Sequence, residues 1–208
     1  MSGRIRIKIC GITHPDDAEA AVDTGADLIG LNFVPGSARC LDLNTAEEIA
    51  NRVTGKIERV AVFKDAVPEE IERVLRRVDL ERVQFHGSES EEEVEEVDLP
   101  VIKAIQGADM VAAEEYPGTI LLLDHPSEGG GAGNPWNWSE ATELIENGFD
   151  AILAGGLDPG NVAEALASLG DLLPWGVDVA TGVESEGRRK DPDKISAFIR
   201  AVRLVAGA

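Results

Sequence analysis

Residues 120–124 read Ile-Leu-Leu-Leu-Asp, an uninterrupted apolar run that ends in a carboxylate. An apolar run without alternation is typical of a strand covered on both faces, as in a parallel sheet flanked by helices. Further short β-rich runs follow one another along the chain. The eight predicted strands are residues 5–9, 28–33, 59–63, 82–85, 101–104, 119–123, 151–153 and 175–179.

Helical patterns lie between these runs. Apolar residues recur at helical spacing in several segments, for example Ile71, Val74, Leu75 and Val78. Helix starts are predicted near Thr13, Ser88 and Asp191, because each is a capping residue followed by proline or glutamate. The acidic run 89–98 keeps an apolar stripe and therefore predicts a solvated helix face.

Strands that alternate with about eight helices in 208 residues predict a single (β/α)8 barrel with a parallel eight-stranded core, as one domain over residues 1–208. The alternative is an open doubly wound sheet. That fold would favour a glycine-rich turn after the first strand, and residues 10–13, Cys-Gly-Ile-Thr, do not form one. The barrel is therefore the preferred prediction.

Composition excludes several classes of protein. No apolar run approaches the ~18 residues that a membrane helix needs, and the N-terminus has no signal-peptide pattern, so a cytoplasmic protein without membrane contact is expected. Two cysteines make neither a disulfide framework nor a zinc site. The three histidines are not spaced as metal ligands, so no metal is expected. We expect a monomer or a homodimer.

The net charge of −20 is the unusual feature of the composition. A nucleic-acid partner is not expected, because phosphate binding requires basic patches. An acidic surface could instead serve a cationic partner. Because the acids are spread over many helices, we favour adaptation to a salty cytoplasm, where salt screens the self-repulsion. This hypothesis predicts that the protein loses structure at low salt.

Reactive side chains are found at the ends of the predicted strands, where barrels of this type build their active sites. Cys10 ends the first run, and it could be a nucleophile, a base or inert core packing. Asp124 ends the sixth, where it could be a general acid or base or a turn residue. Asp178 lies in the last strand, where it is predicted to bind the substrate. This clustering favours an enzyme.

Other residues at the same end could bind a ligand. Arg39 could clamp a ligand carboxylate in bidentate fashion or lie on the surface, and His86 could shuttle a proton, hydrogen-bond a substrate or be a satisfied histidine at a strand end. Two glycine-containing loops could bind phosphate through backbone N–H groups or only make tight turns. The residues of these loops are Gly155 and Gly156 after the seventh strand, and Thr181 and Gly182 after the eighth.

Six ordered segments together resemble one family. They are residues 8–13 (KICGIT), 83–87 (VQFHG), 123–124 (LD), 130–133 (GGAG), 153–157 (LAGGL) and 177–184 (VDVATGVE), followed by Lys190 and Asp191. In order and spacing they are similar to the phosphoribosylanthranilate isomerases of tryptophan biosynthesis, from residue 5 to the last helix. The resemblance implies an Amadori rearrangement of N-(5′-phosphoribosyl)anthranilate without a cofactor.

The resemblance also implies residue roles. Asp124 matches the family's general acid, Cys10 its general base and Arg39 the arginine that holds the anthranilate carboxylate. The phosphate loops match Gly155-Gly156 and Thr181-Gly182. Nearby positive charge is expected to lower the pKa of the Cys10 thiol, and burial to favour the neutral carboxyl of Asp124.

The chain departs from the family pattern at two loops. Many members have a proline before the arginine and an aromatic residue after it, whereas residues 37–40 read Ser-Ala-Arg-Cys. The loop 130–133 has alanine where threonine is frequent, and two tryptophans, Trp136 and Trp138, follow it. A disulfide between Cys10 and Cys40 is not expected, because it would require close Cα atoms.

Three alternatives remain at the level of sequence. A histidine-pathway isomerase performs the same type of rearrangement, but such enzymes resemble two repeated halves with an aspartate where this chain has Cys10. A dual-substrate enzyme is disfavoured for the same reason. A non-catalytic phosphosugar-binding barrel is disfavoured by the paired acid and base.

Overall fold

The eight apolar runs form parallel strands that close into a barrel, each strand pairing with its neighbours in chain order. The computed structural model describes residues 4–126 and 135–207. The strands are β1 (Arg6–Cys10), β2 (Leu28–Asn32), β3 (Glu58–Phe63), β4 (Arg82–Phe85), β5 (Val101–Gln106), β6 (Ile120–Asp124), β7 (Ala151–Leu153) and β8 (Gly176–Val179). The predicted fold class is confirmed.

A helix follows every strand. The helices are α1 (Pro15–Thr24), α2 (Leu43–Arg52), α3 (Pro68–Arg77), α4 (Glu91–Glu95), α5 (Met110–Glu114), α6 (Ala141–Glu146), α7 (Val162–Ala167) and α8 (Pro192–Val205). Short 3-10 turns span Trp138–Glu140, Thr181–Val183 and Glu186–Arg188. Among the described residues, no helix is long and apolar enough to cross a membrane.

Two of the three predicted helix starts lie at other residues. His14, not Thr13, caps α1, since its Nδ1 accepts a bond from the backbone of Asp16. Ser90 caps α4 through a reciprocal box with Glu93, and Ser88 instead donates its backbone N–H to Asp65 in the preceding loop. That loop contact keeps Ser88 out of the helix. Asp191 caps α8 as predicted.

The alternation of side chains in each strand builds two apolar layers. In β6, Leu121 and Leu123 belong to the large cluster between the strands and the helices. Leu122 belongs to the smaller cluster inside the barrel, with Val60 and Ile152. Residue 124 is on the same face as residue 122, because side chains two apart in a strand share a face. Both sides of this strand are therefore apolar, and its final side chain points into the barrel mouth.

The N-terminal end of the barrel is closed by charge pairs and one aromatic ring. Glu58 accepts hydrogen bonds from Arg6 (2.9 Å) and Arg82 (2.7 Å). The guanidinium carbons of these arginines lie 4.8 and 5.5 Å from the centre of the Trp175 ring. These contacts pair the charges of the three side chains at this end of the barrel.

Candidate active site

A cavity of about 680 Å³ opens at the C-terminal ends of the strands. It is lined by strand ends and by the loops that follow them, which is where barrels of this type place their sites. All nine site residues predicted from the sequence line it: Cys10, Arg39, His86, Asp124, Gly155, Gly156, Asp178, Thr181 and Gly182. Barrel closure thus brings together residues that lie as far apart in the sequence as Cys10 and Gly182. Their individual roles stay predictions.

Cys10 is the last residue of β1, and Lys8 lies on the same face two residues earlier. Lys8 is fully buried, and its Nζ donates to Oδ1 of Asp178 at 2.6 Å. Lys8 and Asp178 are register partners across the seam where β8 meets β1. Burial alone would lower the pKa of Lys8, but Asp178 and Cys10 raise it, so Lys8 carries its positive charge beside the thiol.

The pKa of the Cys10 thiol lies above its ordinary value. Burial raises it, the charge of Lys8 lowers it, Asp178 raises it and Lys190 lowers it. Burial outweighs the neighbouring cations, because taking a thiolate out of water disfavours the charged form. The expectation that positive potential lowers the pKa of Cys10 below its ordinary value is therefore wrong.

Gly30 makes room for the thiol. It is the register partner of Cys10 in β2, and a Cβ at Gly30 would lie 2.7 Å from the sulfur and 3.3 Å from Nζ of Lys8. Any larger residue at position 30 would collide with both groups. The requirement for glycine here comes from close approach of two side chains.

Asp124 is buried at the end of β6 and is held by two contacts. Its Oδ1 accepts the backbone N–H of His125 at 2.9 Å, and its Oδ2 lies 3.1 Å from Nε2 of His86. His86 in turn contacts the side-chain amide of Gln84, with 3.0 Å between Nδ1 and Nε2. The carboxyl, imidazole and amide form one chain that leads from the cavity into the barrel.

Arg39 lies over the loop after β1 and is held by Glu184. Nε and Nη2 of Arg39 donate to the two carboxylate oxygens of Glu184 at 2.7 and 2.9 Å, and Nη2 also donates to Thr181 at 3.1 Å. Lys190 donates to the same carboxylate at 2.8 Å. Burial would raise the pKa of Glu184, but these bonds from Arg39 and Lys190 hold it below its ordinary range. The bidentate partner of Arg39 is thus a protein carboxylate, and Nη1 is left over from these bonds.

The two glycine loops lie between Cys10 and Asp124, because β7 and β8 separate β6 from β1 in the ring. Gly155 and Gly156 both have positive φ, 71° and 77°. A Cβ at Gly182 would lie 2.2 Å from the carbonyl oxygen of Leu157, so the two loops touch through this position. Residues 130–133 lie outside the described residues.

Both tryptophans after that segment support the end of β7. Nε1 of Trp136 and Nε1 of Trp138 each donate to the carbonyl oxygen of Ala154 at 2.9 Å. Trp138 is buried. The additional tryptophan therefore fixes the strand that carries Gly155 and Gly156.

Several residues of the site were missed or left without a role by the sequence analysis: Lys8, Gln84, Glu184 and Lys190. Lys8 could have been found, because a residue two before Cys10 shares its face. No local signal could have paired Arg39 with Glu184. Cys40 is exposed, and both cysteines are free. Within residues 4–126 and 135–207, no three His, Cys, Asp or Glu side chains are grouped as metal ligands would be.

A family model for N-(5'phosphoribosyl)anthranilate (PRA) isomerase matches residues 7–201 of the chain. The chain belongs to this family. An N-(5'-phosphoribosyl)anthranilate isomerase from Myxococcus xanthus is 41% identical over 209 residues, covering 97% of this chain and 97% of its own. The family membership, the enzyme class and the pathway predicted from the motifs, an isomerase of tryptophan biosynthesis, are confirmed.

Solved structures of the family share the architecture. A phosphoribosyl anthranilate isomerase from Thermus thermophilus superimposes with a TM-score of 0.87 at 35% identity, covering 97% of this chain and 100% of its own. Another was solved in complex with reduced 1-(o-carboxyphenylamino)-1-deoxyribulose 5-phosphate. It has a TM-score of 0.84 at 33% identity and covers 98% of this chain and 100% of its own. Both names correspond to the anthranilate reaction and not to the histidine-pathway alternative.

Proposed function

We propose that the cavity converts N-(5′-phosphoribosyl)anthranilate into 1-(2-carboxyphenylamino)-1-deoxyribulose 5-phosphate, with Asp124 as general acid and Cys10 as general base. The observation that carries this proposal is their placement. A carboxyl on β6 and a thiol on β1 line one cavity, and the glycine loops after β7 and β8 lie between them. A phosphate held by those loops leaves the sugar between the two groups.

In the first step Asp124 donates its proton to the ring oxygen of the sugar. The C1′–O bond breaks, and the lone pair of the anthranilate nitrogen forms a protonated Schiff base with C1′. In the second step the Cys10 thiolate takes the proton from C2′. The electrons of the C2′–H bond form a C1′=C2′ double bond, and the π electrons of the C1′=N bond return to the nitrogen as its lone pair. The resulting enolamine tautomerises to the ketone, so the reaction is an isomerisation with no cofactor in the balance.

Lys8 and Lys190 support the thiolate that this step needs. Both are buried, and both act on the Cys10 thiol as positive charges. Positive charge next to a cysteine stabilises its thiolate and makes it the better base. Burial lowers the pKa of Lys190, and its ion pair with Glu184 opposes that shift. Lys8 is similarly paired with Asp178.

Arg39 would hold the anthranilate carboxylate through Nη1. Because Glu184 takes Nε and Nη2, the guanidinium is fixed with its remaining donor edge for a ligand. This supports the predicted contact in a form that is not bidentate. Asp178 faces the cavity and keeps its predicted role in substrate binding as a proposal.

Four further expectations remain proposals. They are the cytoplasmic location, the monomeric or homodimeric state, the absence of a nucleic-acid partner and the salt adaptation. The net charge of −20 supports the last two. Sedimentation in molar KCl would distinguish a monomer of 22.1 kDa from a dimer.

The test is turnover in high salt with the substrate generated in place and followed by fluorescence. Wild type, Cys10→Ala, Asp124→Asn and the control Cys40→Ala are compared. Cys40 is exposed and does not line the cavity. We expect kcat to fall about a hundredfold or more in the first two variants, the usual contribution of acid–base groups, and to stay at the wild-type value in the control.

Near-wild-type turnover in folded Cys10→Ala or Asp124→Asn would refute the role of that residue. An inactive, folded wild type would refute the substrate. The histidine-pathway substrate would then be assayed, followed by binding of simple phosphosugars, which would identify a non-catalytic barrel.

A further inference from the structure

Gln84 is a buried polar residue that the proposed reaction does not use. It lies in β4 with 1% of its surface exposed, two residues before His86 and on the same face. Its Nε2 is 3.0 Å from Nδ1 of His86. Its Oε1 is buried without a hydrogen-bond partner, and among the described residues it is the one such side-chain atom.

The strands on either side do not hold the amide in one orientation. The register partners of Gln84 are Val62 in β3 and Ile102 in β5, both buried and apolar. A rotation of the amide by half a turn exchanges Oε1 and Nε2 with little change of shape. In either orientation one end faces the imidazole and the other end lacks a partner, so neither orientation is strongly preferred by its surroundings.

The orientation of this amide determines which nitrogen of His86 carries the proton, because a neutral imidazole has one donor and one acceptor. When the amide NH2 faces Nδ1, the ring proton is on Nε2 and is donated to Oδ2 of Asp124. That arrangement stabilises the ionised carboxylate. When Oε1 faces Nδ1, the ring proton is on Nδ1, and Nε2 accepts the proton of a neutral Asp124 carboxyl.

We propose that Gln84 is a positioning residue that lets the tautomer of His86 follow the protonation state of Asp124. Either tautomer of a neutral imidazole holds one ring proton, so a change of tautomer leaves Asp124 as the source of the proton given to the substrate. At the end of each turnover Cys10 releases to solvent the proton that it took from C2′, and Asp124 regains a proton from solvent, so the cycle balances. The change of tautomer exchanges one ring proton for another with solvent and has no net effect on the balance. This inference rests on the proposed role of Asp124 as the acid.

Histidine-selective ¹⁵N NMR at one neutral pH tests the proposal directly. The chain has only three histidines, and His86→Gln identifies the signal of His86. In Gln84→Glu, the group that faces Nδ1 is a carboxylate, which accepts hydrogen bonds and donates none. The ring proton is therefore expected on Nδ1. In Gln84→Met, which has no hydrogen-bonding amide, the signal is expected between the two tautomers. The control Asn147→Met removes an exposed side-chain amide that donates to the carbonyl oxygen of Glu143 in α6, away from the cavity, and should leave the His86 signal unchanged.

Steady-state kinetics provide the second readout. Gln84→Met removes the hydrogen bond between Gln84 and His86, the residue that contacts Asp124. This loss should lower kcat about tenfold and leave KM unchanged. An unchanged His86 signal together with wild-type kcat would overturn the proposal. A raised KM with an unchanged signal would also overturn it, because it would show that Gln84 contacts the substrate. Full activity in Asp124→Asn would refute the acid itself, whatever the NMR shows.

Discussion

The barrel carries an arginine–glutamate pair at each end, and the two pairs are chemically alike. Arg39 donates from Nε to Glu184 at 2.7 Å, and Arg82 donates from Nε to Glu58 at 2.7 Å. The two arginine side chains are equally accessible, 15% at the C-terminal end and 16% at the N-terminal end. Their surroundings are different.

At the N-terminal end the pair is completed by the protein itself. Arg6 bonds the second oxygen of Glu58, and Trp175 lies against both guanidinium groups. At the C-terminal end, Arg39 borders a cavity of about 680 Å³. The same type of ion pair therefore packs against a ring at one end of the barrel, and at the other end it leaves Nη1 of Arg39 without a hydrogen bond to any of the described residues. The difference shows that the surroundings of the guanidinium, an aromatic ring at one end and a cavity at the other, separate a stabilising contact from a candidate binding site.

The largest expected difference between the two ends is the loss of kcat/KM when the arginine of each pair is replaced. Arg39→Met should lower kcat/KM about a hundredfold, mainly through KM, because a charged contact to the substrate carboxylate is lost. Arg82→Met should leave kcat/KM within about twofold, since Arg82 does not reach the cavity. Steady-state kinetics on both variants measure the difference. Equal losses in the two variants would remove the distinction between the ends.

Trp175→Leu tests whether the N-terminal end contributes to stability and not to activity. It removes two cation–π contacts and part of the ring's buried area, so the free energy of unfolding should fall by about 2 kcal/mol. The unfolding midpoint would drop by about 4–8 °C for a chain of this length. Thermal melts follow the loss, and kcat at a temperature below the transition should be unchanged. A large fall in kcat would mean that the two ends are coupled.

The pH dependence of turnover sharpens the description of the C-terminal end. Because the pKa of the Cys10 thiol is raised by burial, most of it is protonated at neutral pH, and the thiolate grows as the pH rises. Below that pKa, kcat/KM should increase by about tenfold per pH unit if the thiolate is the base. The residual activity of Cys10→Ala should not show this increase with pH. A Glu58→Gln control at the other end should retain it.

Salt should have the smallest effect and should not distinguish the two ends. With a net charge of −20, screening relieves repulsion over the whole surface. Molar KCl should therefore raise the unfolding midpoint by about 2–4 °C or more relative to dilute buffer, equivalent to about 1 kcal/mol. An unchanged midpoint would reject the hypothesis of salt adaptation.

Sequence reasoning succeeded where the signal is periodic. The runs predicted at 82–85 and 151–153 match β4 and β7 to the residue. Positions such as Cys10 and Asp124 were predicted at the barrel mouth because they end apolar strands, and both line the cavity. It failed where local rules compete, as at Ser88, where a loop contact to Asp65 prevails over the capping pattern.

Sequence reasoning also failed where a property such as a pKa depends on several side chains that only the fold brings together. The raised pKa of Cys10 depends on its burial, on Lys8 two residues earlier, and on Asp178 and Lys190 near the other end of the chain. A spacing rule cannot weigh burial against these charges. The same holds for Gln84, whose unpaired oxygen is visible only once both neighbouring strands are in place.

The sequence by itself determined the alternating elements, the closed parallel barrel and the family. The spacing of apolar residues in strands and helices and the order of the motifs can all be read from neighbouring positions in the chain. Only the tertiary structure decided that Lys8 pairs with Asp178, 170 residues away, and that Arg39 pairs with Glu184, 145 residues away. The physical reason is that periodicity depends on neighbours along the chain. Charge and hydrogen bonding depend on whatever lies within a few ångströms in space.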